Sequence, residues 1–451
     1  MTVIHAENAL LPNGIARDVR VLLSGGHIDS VEMGVAAQPG DERHRFLLPA
    51  IPNLHSHAFQ RAMAGLAETR GPGDDSFWSW RAVMYRFALS MEPDHVEAVA
   101  AQLYMEMLEA GFCRVGEFHY LHHDKDGTAY ANPAEMAERI AAASAEAGIA
   151  LTLLPVFYAH SGFGGSAPIE GQRRFINDLD RYASLMERSA KIVARLPGGI
   201  LGVAPHSLRA VTPQELAAIQ PLAQDGPIHI HIAEQVKEVE DCIAWSGARP
   251  VEWLLDCAPV DGRWCLIHAT HMTEAETRRV AESGAVAGLC PVTEANLGDG
   301  VFSAPLFLQS GGRFGVGSDS NILISLSEEL RLLEYSQRLA RHSRNVIAPP
   351  GGSTGLALLQ RALEGGAQAL GSTCGIEPGK PADLMTLDIS EVPWLSAEHL
   401  LDHFVFASGV GIDTVWVRGR KQAEHGRHIR RDQISARFRA AMSDLLARDT
   451  G

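Results

Sequence analysis

Short apolar segments rich in β-branched residues alternate with longer segments of helical periodicity through the middle of the chain. Continuous apolar runs are typical of strands buried in a parallel sheet, and the longer segments are typical of crossover helices. The strands predicted in this way are 46–54, 111–118, 151–157, 200–205, 227–232, 264–268, 285–290 and 314–318. Eight successive βα units predict a closed (β/α)8 barrel, a fold of the α/β class.

Three of the intervening segments carry the signals that begin a helix. Thr212 and Thr273 are each followed three residues later by a glutamate, which is the capping-box pattern. Asn132-Pro133 places a capping side chain directly before a proline that suits the first turn. We therefore expect helices to begin at these three positions.

The two ends of the chain have a different pattern, with short strand-like runs separated by turns. Residues 1–45 and 376–430 both have this pattern, and neither segment is large enough to bury a core alone. We expect them to combine into one small β-sandwich domain beside a barrel formed by 46–375. Residues 431–451 are expected to form a C-terminal helix. The Gly-rich segment 160–171 follows the third predicted strand and is either a lid or a surface loop.

Composition and charge narrow the possible partners. Of the 451 residues, 46% are hydrophobic and 21% are charged, as in an ordinary globular protein. The formal net charge of -15 and the lack of a Lys/Arg run argue against nucleic acid or an anionic membrane as a partner. The six cysteines form no C-x-x-C pair, no apolar run is long enough to span a membrane, and no signal-peptide pattern begins the chain. We expect reduced thiols and a cytoplasmic enzyme.

Residue types that ligate metals stand where predicted strands end. His55 and His57 close the first strand, and alternate residues of a strand point to the same side. His231 lies near the end of the fifth strand, and Asp319 follows the eighth. All strands of a barrel open their carboxyl ends onto one face, so these four residues can meet there and hold a metal ion. His229 lies deeper in its strand and is expected to fill the barrel interior.

Three imidazoles and one carboxylate suit Zn²⁺, with Fe²⁺ and Mn²⁺ as alternatives. The fourth strand ends at Pro205-His206 and offers no lysine that could be carboxylated to bridge two ions. We therefore expect one divalent metal ion per chain. Such an ion lowers the pKa of a water from about 15.7 to roughly 7, which makes hydroxide available at neutral pH.

The proton that such a water releases needs an acceptor. Glu234 stands three residues past His231 and is expected to carry that proton to a leaving nitrogen. His268 ends the sixth strand and is expected to polarise the electrophile or stabilise the tetrahedral intermediate. Asp319 is expected both to ligate the metal and to hold the attacking group.

Together these residues resemble the amidohydrolase superfamily, in its mononuclear deaminase branch. The motifs that carry the resemblance are His55-Ser56-His57, His231-Ile232-Ala233-Glu234, His268, Asp319 and Gly379-Lys380-Pro381-Ala382-Asp383-Leu384. The resemblance covers essentially the whole chain. It implies a barrel of the amidohydrolase type, whose chain returns at its end into the small β domain.

Further segments resemble the group within that superfamily that hydrolyses N-formimino-L-glutamate in histidine breakdown. These segments are 53–60, 77–81, 116–123, 161–165 and 205–209. The resemblance implies a hydrolase acting on the C–N bond of a small acidic amidine, with N-formyl-L-glutamate and ammonia as products. It also implies a homodimer.

A substrate with two carboxylates needs cationic partners, and arginine offers a fixed fork of donors. Arg81 and Arg209 lie in segments that should reach the carboxyl face of the barrel. From position alone, an ordinary surface salt bridge or a pairing with the next helix explains each of them equally well. With the resemblance, both are expected to bind substrate, with Gln60, Tyr120 and His206 as neutral partners.

Several other residues are candidates for the pocket wall. Trp78 and Trp80 precede Arg81, although aromatic residues in loops more often serve packing. Glu294, with its neighbours Thr293 and Asn296, follows the seventh strand.

Other functions fit the same residues in part. A nucleobase or other heteroaromatic deaminase would use the same metal site, with a stacking pocket and amide side chains in place of paired arginines. A related hydrolase would displace chloride or an alkylamine from a triazine. A non-catalytic scaffold is a further alternative, since a fold alone does not imply activity. The complete ligand set, together with Glu234 and His268, argues against a scaffold.

Overall fold

The computed structural model describes the backbone of residues 2–70 and 77–449 and the side chains of residues 2–70 and 79–447. The strands are β1 (Thr2–Leu11), β2 (Gly14–Ser24), β3 (His27–Glu32), β4 (Glu42–Pro49), β5 (Ile51–Ser56), β6 (Phe112–His119), β7 (Ala150–Phe157), β8 (Ile200–Leu201), β9 (Ala204–Pro205), β10 (Ile228–Ile232), β11 (Trp264–His268), β12 (Val286–Leu289), β13 (Arg313–Val316), β14 (Leu384–Asp388), β15 (Gly411–Val417), β16 (Arg420–Glu424) and β17 (Arg427–His428).

The α-helices are α1 (Phe77–Ser90), α2 (Pro93–Glu109), α3 (Glu135–Ala147), α4 (Leu179–Val193), α5 (Pro213–Ile219), α6 (Val236–Ser246), α7 (Pro250–Cys257), α8 (Glu274–Ser283), α9 (Pro291–Leu297), α10 (Ala304–Gln309), α11 (Leu326–Arg341), α12 (Thr354–Ala369), α13 (Ala397–Phe406) and α14 (Arg431–Asp449). Short 3-10 helices cover Ala58–Met63, Glu170–Gln172 and Gln220–Ala223.

The central strands form the predicted parallel barrel. Strands β5 to β8 pair in one run, with β9 beside β7, and β10 to β13 pair in a second run. Two backbone junctions join the runs: Ser56 pairs with Asp319, and Val203 pairs with Ile228. The fourth strand consists of the two short pieces β8 and β9, which Gly202 interrupts. A Cβ atom at Gly202 would lie 2.5 Å from the carbonyl oxygen of Pro227, so only glycine fits at this position beside the neighbouring strand segment.

The predicted strand 46–54 is wrong as a single strand, because it is two strands of different sheets. β4 ends at Pro49 and pairs with β1 and β14, whereas β5 begins at Ile51 and pairs with β6. The apolar run is continuous because the ends of both strands are buried. An apolar pattern records burial and not the partner strand, so it does not reveal the change of sheet.

Strands from both ends of the chain form one sheet, in the order β17-β16-β15-β14-β4-β1-β2-β3. Apolar side chains from the N-terminal and the C-terminal strands of this sheet share one core, which includes Val21, Ile28 and Trp416. Gly419, in the turn after β15, lies against Leu23 near the hairpin of β2 and β3. The ends of the sheet therefore approach each other across the core, as in a small sandwich.

Two of the three predicted helix starts are confirmed. Thr212 and Thr273 are the N-caps of α5 and α8, and each accepts a hydrogen bond from the backbone N–H of the glutamate three residues later. The prediction at Asn132 is wrong, because α3 begins at Glu135. The Asn132 side chain instead accepts a hydrogen bond from the backbone N–H of Ala134, at 3.1 Å, in a turn before the helix.

The helix α12 lies directly on the outside of the barrel. A Cβ atom at Gly365 would lie 1.9 Å from the carbonyl oxygen of Phe314 in β13. At Gly366 it would lie 3.1 Å from the carbonyl oxygen of Pro52 in β5. The two glycines let the helix backbone contact the strands on both sides of the Ser56–Asp319 junction.

All six cysteines lie in the described part of the chain, and none of them forms a disulfide there. Among the helices of residues 2–70 and 77–449, none has the length and apolar character needed to cross a membrane.

Candidate active site

The four predicted metal ligands converge at the carboxyl end of the barrel. The candidate ligand atoms of His55, His57, His231 and Asp319 all lie within 4.8 Å of one another, and all four residues are buried. The Nε2 atoms of His55 and His231 are 3.0 Å apart. Oδ1 of Asp319 lies 3.2 Å from Nε2 of His57 and 3.4 Å from Nε2 of His55.

Backbone carbonyls fix the orientation of two of these imidazoles. Nδ1 of His57 lies 2.9 Å from the carbonyl oxygen of Phe118, and Nδ1 of His231 lies 2.9 Å from that of His206. A carbonyl oxygen only accepts, so each Nδ1 carries the hydrogen and each Nε2 directs a lone pair at the centre. Converging lone pairs and a carboxylate repel one another unless a cation lies between them. The residues therefore fit a divalent metal ion.

Strained backbone and a hydrogen-bonded network hold Asp319 in place. Its φ angle is 45°, an uncommon value for a non-glycine residue that persists only where the surroundings enforce it. The backbone N–H of Asp319 donates to the carbonyl of His55, and the N–H of His57 donates to the carbonyl of Asp319, each at 3.0 Å. The side chain of Asn321 donates to the carbonyl of His57 at 3.0 Å and accepts from Ser318 at 2.6 Å.

Burial determines the protonation of the ligands. Burial lowers the pKa of His55 to about 3, which leaves its imidazole neutral, as a metal ligand must be. Burial also opposes the charge of Asp319, but the neighbouring imidazoles of His55 and His57 outweigh it and hold that pKa well below its usual value. The site therefore presents His55 as a neutral imidazole and Asp319 as an ionised carboxylate at neutral pH.

Glu234 and His268 lie next to the ligand cluster. Nε2 of His268 is 3.9 Å from Oε1 of Glu234 and 3.9 Å from Oδ2 of Asp319. Burial raises the pKa of Glu234 to about 7. Burial opposes the charge of His268, but the carboxylates around it, Glu234 foremost, raise its pKa to about 10. This arrangement places one carboxyl group that titrates near neutrality beside a protonated imidazole.

One pocket joins this cluster to the residues predicted to bind substrate. It is lined by His57, Gln60, Trp80, Arg81, Met84, Tyr85, Tyr120, Tyr158, Phe175, His206, Arg209, His231, Glu234, His268, Leu297 and Asp319. The predicted metal ligand His55 is not among the lining residues, and its side chain is fully buried. The candidate wall residues Thr293, Glu294 and Asn296 do not line the pocket either. The structure thus brings together the residues predicted to bind the metal, to catalyse and to bind substrate.

The two arginines stand in different surroundings within this pocket. The Nε–H of Arg209 is buried and has no hydrogen-bond partner among the described residues. Burial opposes its charge, but Glu238 and other neighbours, Glu234 among them, raise the pKa of Arg209. The guanidinium of Arg81 lies 5.0 Å from the ring centroid of Tyr85. A buried guanidinium donor that faces no acceptor is suited to an anionic ligand.

Neutral side chains lie between the arginines and the metal ligands. The side-chain amide of Gln60 donates to the hydroxyl of Tyr120 at 2.8 Å. The ring of Tyr120 packs edge-on against that of His57, with centroids 5.0 Å apart. The ring of His206 lies 4.5 Å from that of Tyr158 and 4.9 Å from that of His231. Tyr120 and His206 therefore pack against imidazoles of the ligand cluster, and His206 also packs against Tyr158.

Sequence reasoning missed much of the pocket wall. Met84, Tyr85, Tyr158, Phe175 and Leu297 line the pocket but stand in helices and loops whose local pattern carries no signal of it. Trp80 lines the pocket as expected, whereas the side chain of Trp78 lies outside the described part of the chain.

Two buried glutamates support the site from behind. The carboxylate of Glu117 accepts hydrogen bonds from the backbone N–H of Ala58 at 2.7 Å and from the hydroxyl of Tyr104 at 3.0 Å. A carboxylate inside β6, where every residue is buried, was a signal that could have identified Glu117. Glu294 contacts His268, at 3.3 Å from its Nδ1. The side-chain amide of Asn296, another candidate on α9, donates a hydrogen bond to the carboxylate of Glu68 at the surface.

The predictions for His229 and for the Gly-rich loop 160–171 have different outcomes. His229 lies inside the barrel, as expected, with its Nε2 2.7 Å from the carbonyl oxygen of Ala369. The Gly-rich loop 160–171 packs beside α6, where Phe163 stacks on Trp245 with ring centroids 5.6 Å apart. No residue of this loop is among the described pocket-lining residues, and its role as a lid stays a prediction.

Known proteins resemble the chain over its whole length. Residues 46–421 match the amidohydrolase family, and residues 1–45 match the N-terminal domain of the formimidoylglutamate deiminase HutF. A formimidoylglutamate deiminase of Pseudomonas aeruginosa is 50% identical over 453 residues, which cover 99% of this chain and 100% of that protein.

Solved structures give the same result. The crystal structure of an amidohydrolase from Brucella melitensis has a TM-score of 0.97 and 59% identity, covering 99% of this chain and 100% of that one. An adenosine deaminase from Xanthomonas campestris, solved with bound zinc, has a TM-score of 0.81 at 22% identity, covering 99% of this chain and 98% of that one. The second likeness shows a shared fold alone.

Proposed function

The chain belongs to the amidohydrolase family and to its formimidoylglutamate deiminases, and on this premise we propose that it converts N-formimino-L-glutamate and water to N-formyl-L-glutamate and ammonia. The proposed reaction is a step of histidine breakdown. The observation that carries the proposal is a single pocket that holds three of the four metal ligands at one end and both Arg81 and Arg209 at its wall. A substrate with an amidine at one end and two carboxylates at the other has the complementary chemistry.

The metal site fits the hydrolysis of an amidine. When bound, a divalent ion supplies Lewis acidity and lowers the pKa of water to roughly 7. His55, His57, His231 and Asp319 would hold that ion. We favour Zn²⁺ because three neutral imidazoles and one carboxylate suit it, with Fe²⁺ or Mn²⁺ as alternatives.

Glu234 is proposed as the group that moves the proton. Its carboxylate lies in the pocket beside His268 and Asp319, where it can accept a proton from water and donate it to the nitrogen that leaves as ammonia. Asp319 is proposed to hold the attacking water, and His268 is proposed to polarise the formimino group or stabilise the tetrahedral intermediate. A formimino group is protonated at neutral pH, so the carbon is already electrophilic before these groups act.

The arginines are proposed to bind the two carboxylates. Arg209 has a buried Nε–H without a partner among the described residues, and Arg81 lines the same pocket beside Tyr85. Charge-assisted hydrogen bonds from guanidinium to carboxylate are roughly twice as strong as neutral ones. Gln60, Tyr120 and His206 are proposed to complete the contacts.

The alternative is a deaminase of a nucleobase or another heteroaromatic ring. Such a substrate needs stacking surfaces and neutral readers of its edge, and it gives two buried or half-buried arginines no anion to bind. Tyr85, Tyr158 and Phe175 line the pocket and would allow some stacking. The arginines favour the acidic amidine.

Three properties of the whole molecule belong to this proposal. We propose a homodimer, which the exposed Leu339 and Trp394 side chains, at 78% and 77% exposure, could help to form. A cytoplasmic location agrees with six unpaired cysteines in the described chain. The substrate and the metal are small, and neither nucleic acid nor a membrane is needed as a partner.

Ammonia release from N-formimino-L-glutamate by the purified protein tests the proposal, with metal content measured on the same sample. Rapid release with about one divalent ion per chain is the expected result. Protein that holds its metal but releases ammonia faster from guanine, cytosine or adenosine would overturn the substrate and leave the hydrolase. Released formamide in place of ammonia would overturn the bond that is cleaved.

A further inference from the structure

Glu294 lies behind His268, on the side away from the pocket. Its Oε1 is 3.3 Å from Nδ1 of His268 and accepts a hydrogen bond from the backbone N–H of Cys290 at 2.9 Å. Only 6% of Glu294 and 1% of His268 are exposed, so water does not compete for this contact. A carboxylate accepts and does not donate, and it therefore selects the form of His268 that carries hydrogen on Nδ1.

The contact with Glu294 also bears on the backbone conformation of His268. The φ angle of His268 is 71° and that of Ala269 is 49°, so the chain leaves β11 through two consecutive left-handed residues. This conformation is unfavourable for residues with a side chain and persists where tertiary contacts enforce it. The Glu294 contact ties the ring of a strained residue to the first turn of α9.

We propose that Glu294 is a positioning residue for the hydrolysis: it accepts a hydrogen bond from Nδ1 of His268 and fixes the direction of the ring, so that Nε2 faces Glu234 and Asp319. The proposal rests on the proposed function, in which His268 acts on the reacting carbon or water. Glu294 itself does not line the pocket and has no contact with substrate in this arrangement.

An alternative use of the same atoms is a second metal site. His268, Cys290 and Glu294 lie close enough to hold an ion together. The hydrogen bonds to Glu294 already account for the approach of His268 and of the Cys290 backbone, and burial raises the pKa of the Cys290 thiol well above its usual value, which disfavours a thiolate ligand. We therefore assign the cluster to positioning, and metal stoichiometry separates the two.

The chain offers a matched control in Glu329. This glutamate is also fully buried and also accepts a backbone hydrogen bond from α9, from Val292 at 3.0 Å, but it has no contact with His268. Glu329→Gln therefore reports the cost of changing a buried carboxylate beside the same helix.

The experiment compares Glu294→Gln, Glu294→Ala and Glu329→Gln in the metal-loaded protein. We expect Glu294→Ala to lower kcat by about 10- to 100-fold, as for other groups that orient an active-site histidine, with KM and metal content near those of the parent. Glu294→Gln keeps an acceptor and should lose less, and Glu329→Gln should keep kcat. On a His268→Ala background, Glu294→Gln should cost nothing further, because the two residues act as one unit.

The hydrogen bond between His268 and Glu294 provides a readout that needs no substrate. In protein with ¹⁵N-labelled histidines, the His268 resonance, assigned by its loss in His268→Ala, should report a protonated Nδ1 in the parent and in Glu329→Gln. Glu294→Ala should shift the Nδ1–H signal of His268, because the hydrogen bond to the carboxylate is lost. A His268 resonance with bare Nδ1 in the parent, an unchanged kcat in both Glu294 variants, or a second bound ion would each overturn the proposal. If formiminoglutamate is not hydrolysed at all, the resonance still decides the role of Glu294, so the two failures are distinguishable.

Discussion

Nε2 of His55 and Nε2 of His231 face each other at 3.0 Å inside the barrel mouth. The hydrogen of His231 is on its other nitrogen, at the carbonyl of His206, so no donor of His231 fills the gap. The ionised carboxylate of Asp319 is beside them. The lone pair of His231 and the carboxylate of Asp319 therefore share a buried volume, and both stabilise a cation that binds between them.

Removing the metal should therefore destabilise the fold as well as abolish activity. A ligand present at 100 times its Kd stabilises the native state by about 2.7 kcal/mol, so chelation should lower the apparent Tm. Differential scanning fluorimetry before and after chelation, with Zn²⁺, Fe²⁺ or Mn²⁺ added back, measures the change. Asp319→Ala should regain neither metal nor rate. Superimposable melting curves with and without metal would contradict the expectation.

Glu234→Gln should retain metal and lose turnover. Proton transfer by a positioned carboxylate contributes about 10²- to 10⁴-fold, and glutamine cannot accept or donate that proton. Steady-state rates and metal analysis of the same preparation test this. Glu240→Gln is the matched control, since Glu240 is an exposed residue of α6, the helix that follows Glu234. Full activity in the Glu234 variant would remove Glu234 from the mechanism.

Arg209→Ala should weaken kcat/KM for the acidic substrate by an amount on the order of 2–5 kcal/mol, because a buried charge pair is broken. Exposed Arg195→Ala serves as the control. Two substrate analogues, in which either the α- or the γ-carboxylate is replaced by an amide, should identify the carboxylate that Arg209 binds. For the analogue that lacks this carboxylate, Arg209→Ala should cause little further loss of kcat/KM. An unchanged kcat/KM would mean that the carboxylates bind elsewhere.

The rate should depend on pH through Glu234 and His268. Glu234 must be ionised to accept a proton, and burial raises its pKa to about 7, so kcat/KM should fall as the pH drops below neutrality. A bound divalent cation favours the carboxylate and moves this limb to lower pH. Burial opposes the charge of His268, but the carboxylates around it raise its pKa to about 10, so loss of its proton should produce a falling limb at alkaline pH. A profile that stays flat from pH 5 to 10 would exclude both groups, provided metal content is constant.

Gly365→Ala should destabilise the barrel without touching the pocket. The added methyl group would lie 1.9 Å from the carbonyl oxygen of Phe314, so α12 must shift away from β13. Overpacking of this kind costs about 1–3 kcal/mol or more. Chemical denaturation followed by circular dichroism measures it against Gly411→Ala, a position with no atom within 4 Å of the new methyl group. Equal midpoints would contradict the close packing.

The residues at strand ends explain how much of the site could be predicted from sequence. In a closed parallel barrel the order of the strands fixes which ends are neighbours, so His55, His57, His231 and Asp319 were placed together by topology before any contact was known. The helix starts at Thr212 and Thr273 could also be predicted from sequence, because all the residues of a capping box lie within four positions.

Other features depend on partners far away in the sequence. The change of sheet after Pro49 leaves no mark in an apolar run, because β4 and β5 are both buried. Glu294 was placed near the pocket by its position after the seventh strand, but its contact with His268 depends on the left-handed turn at the end of β11. The aromatic wall of Tyr85, Tyr158 and Phe175 comes from three separate segments that only the folded chain brings together.

The junction between Ser56 and Asp319 also has a consequence for the order in which the protein matures. The backbone bonds that join the first barrel strand to the last are made by His55, His57 and Asp319, which are themselves metal ligands. During synthesis the first of these residues leaves the ribosome long before the last, so a nascent chain holds only part of the ligand set. The complete ligand set therefore exists only after the last barrel strand has been made and has paired with the first.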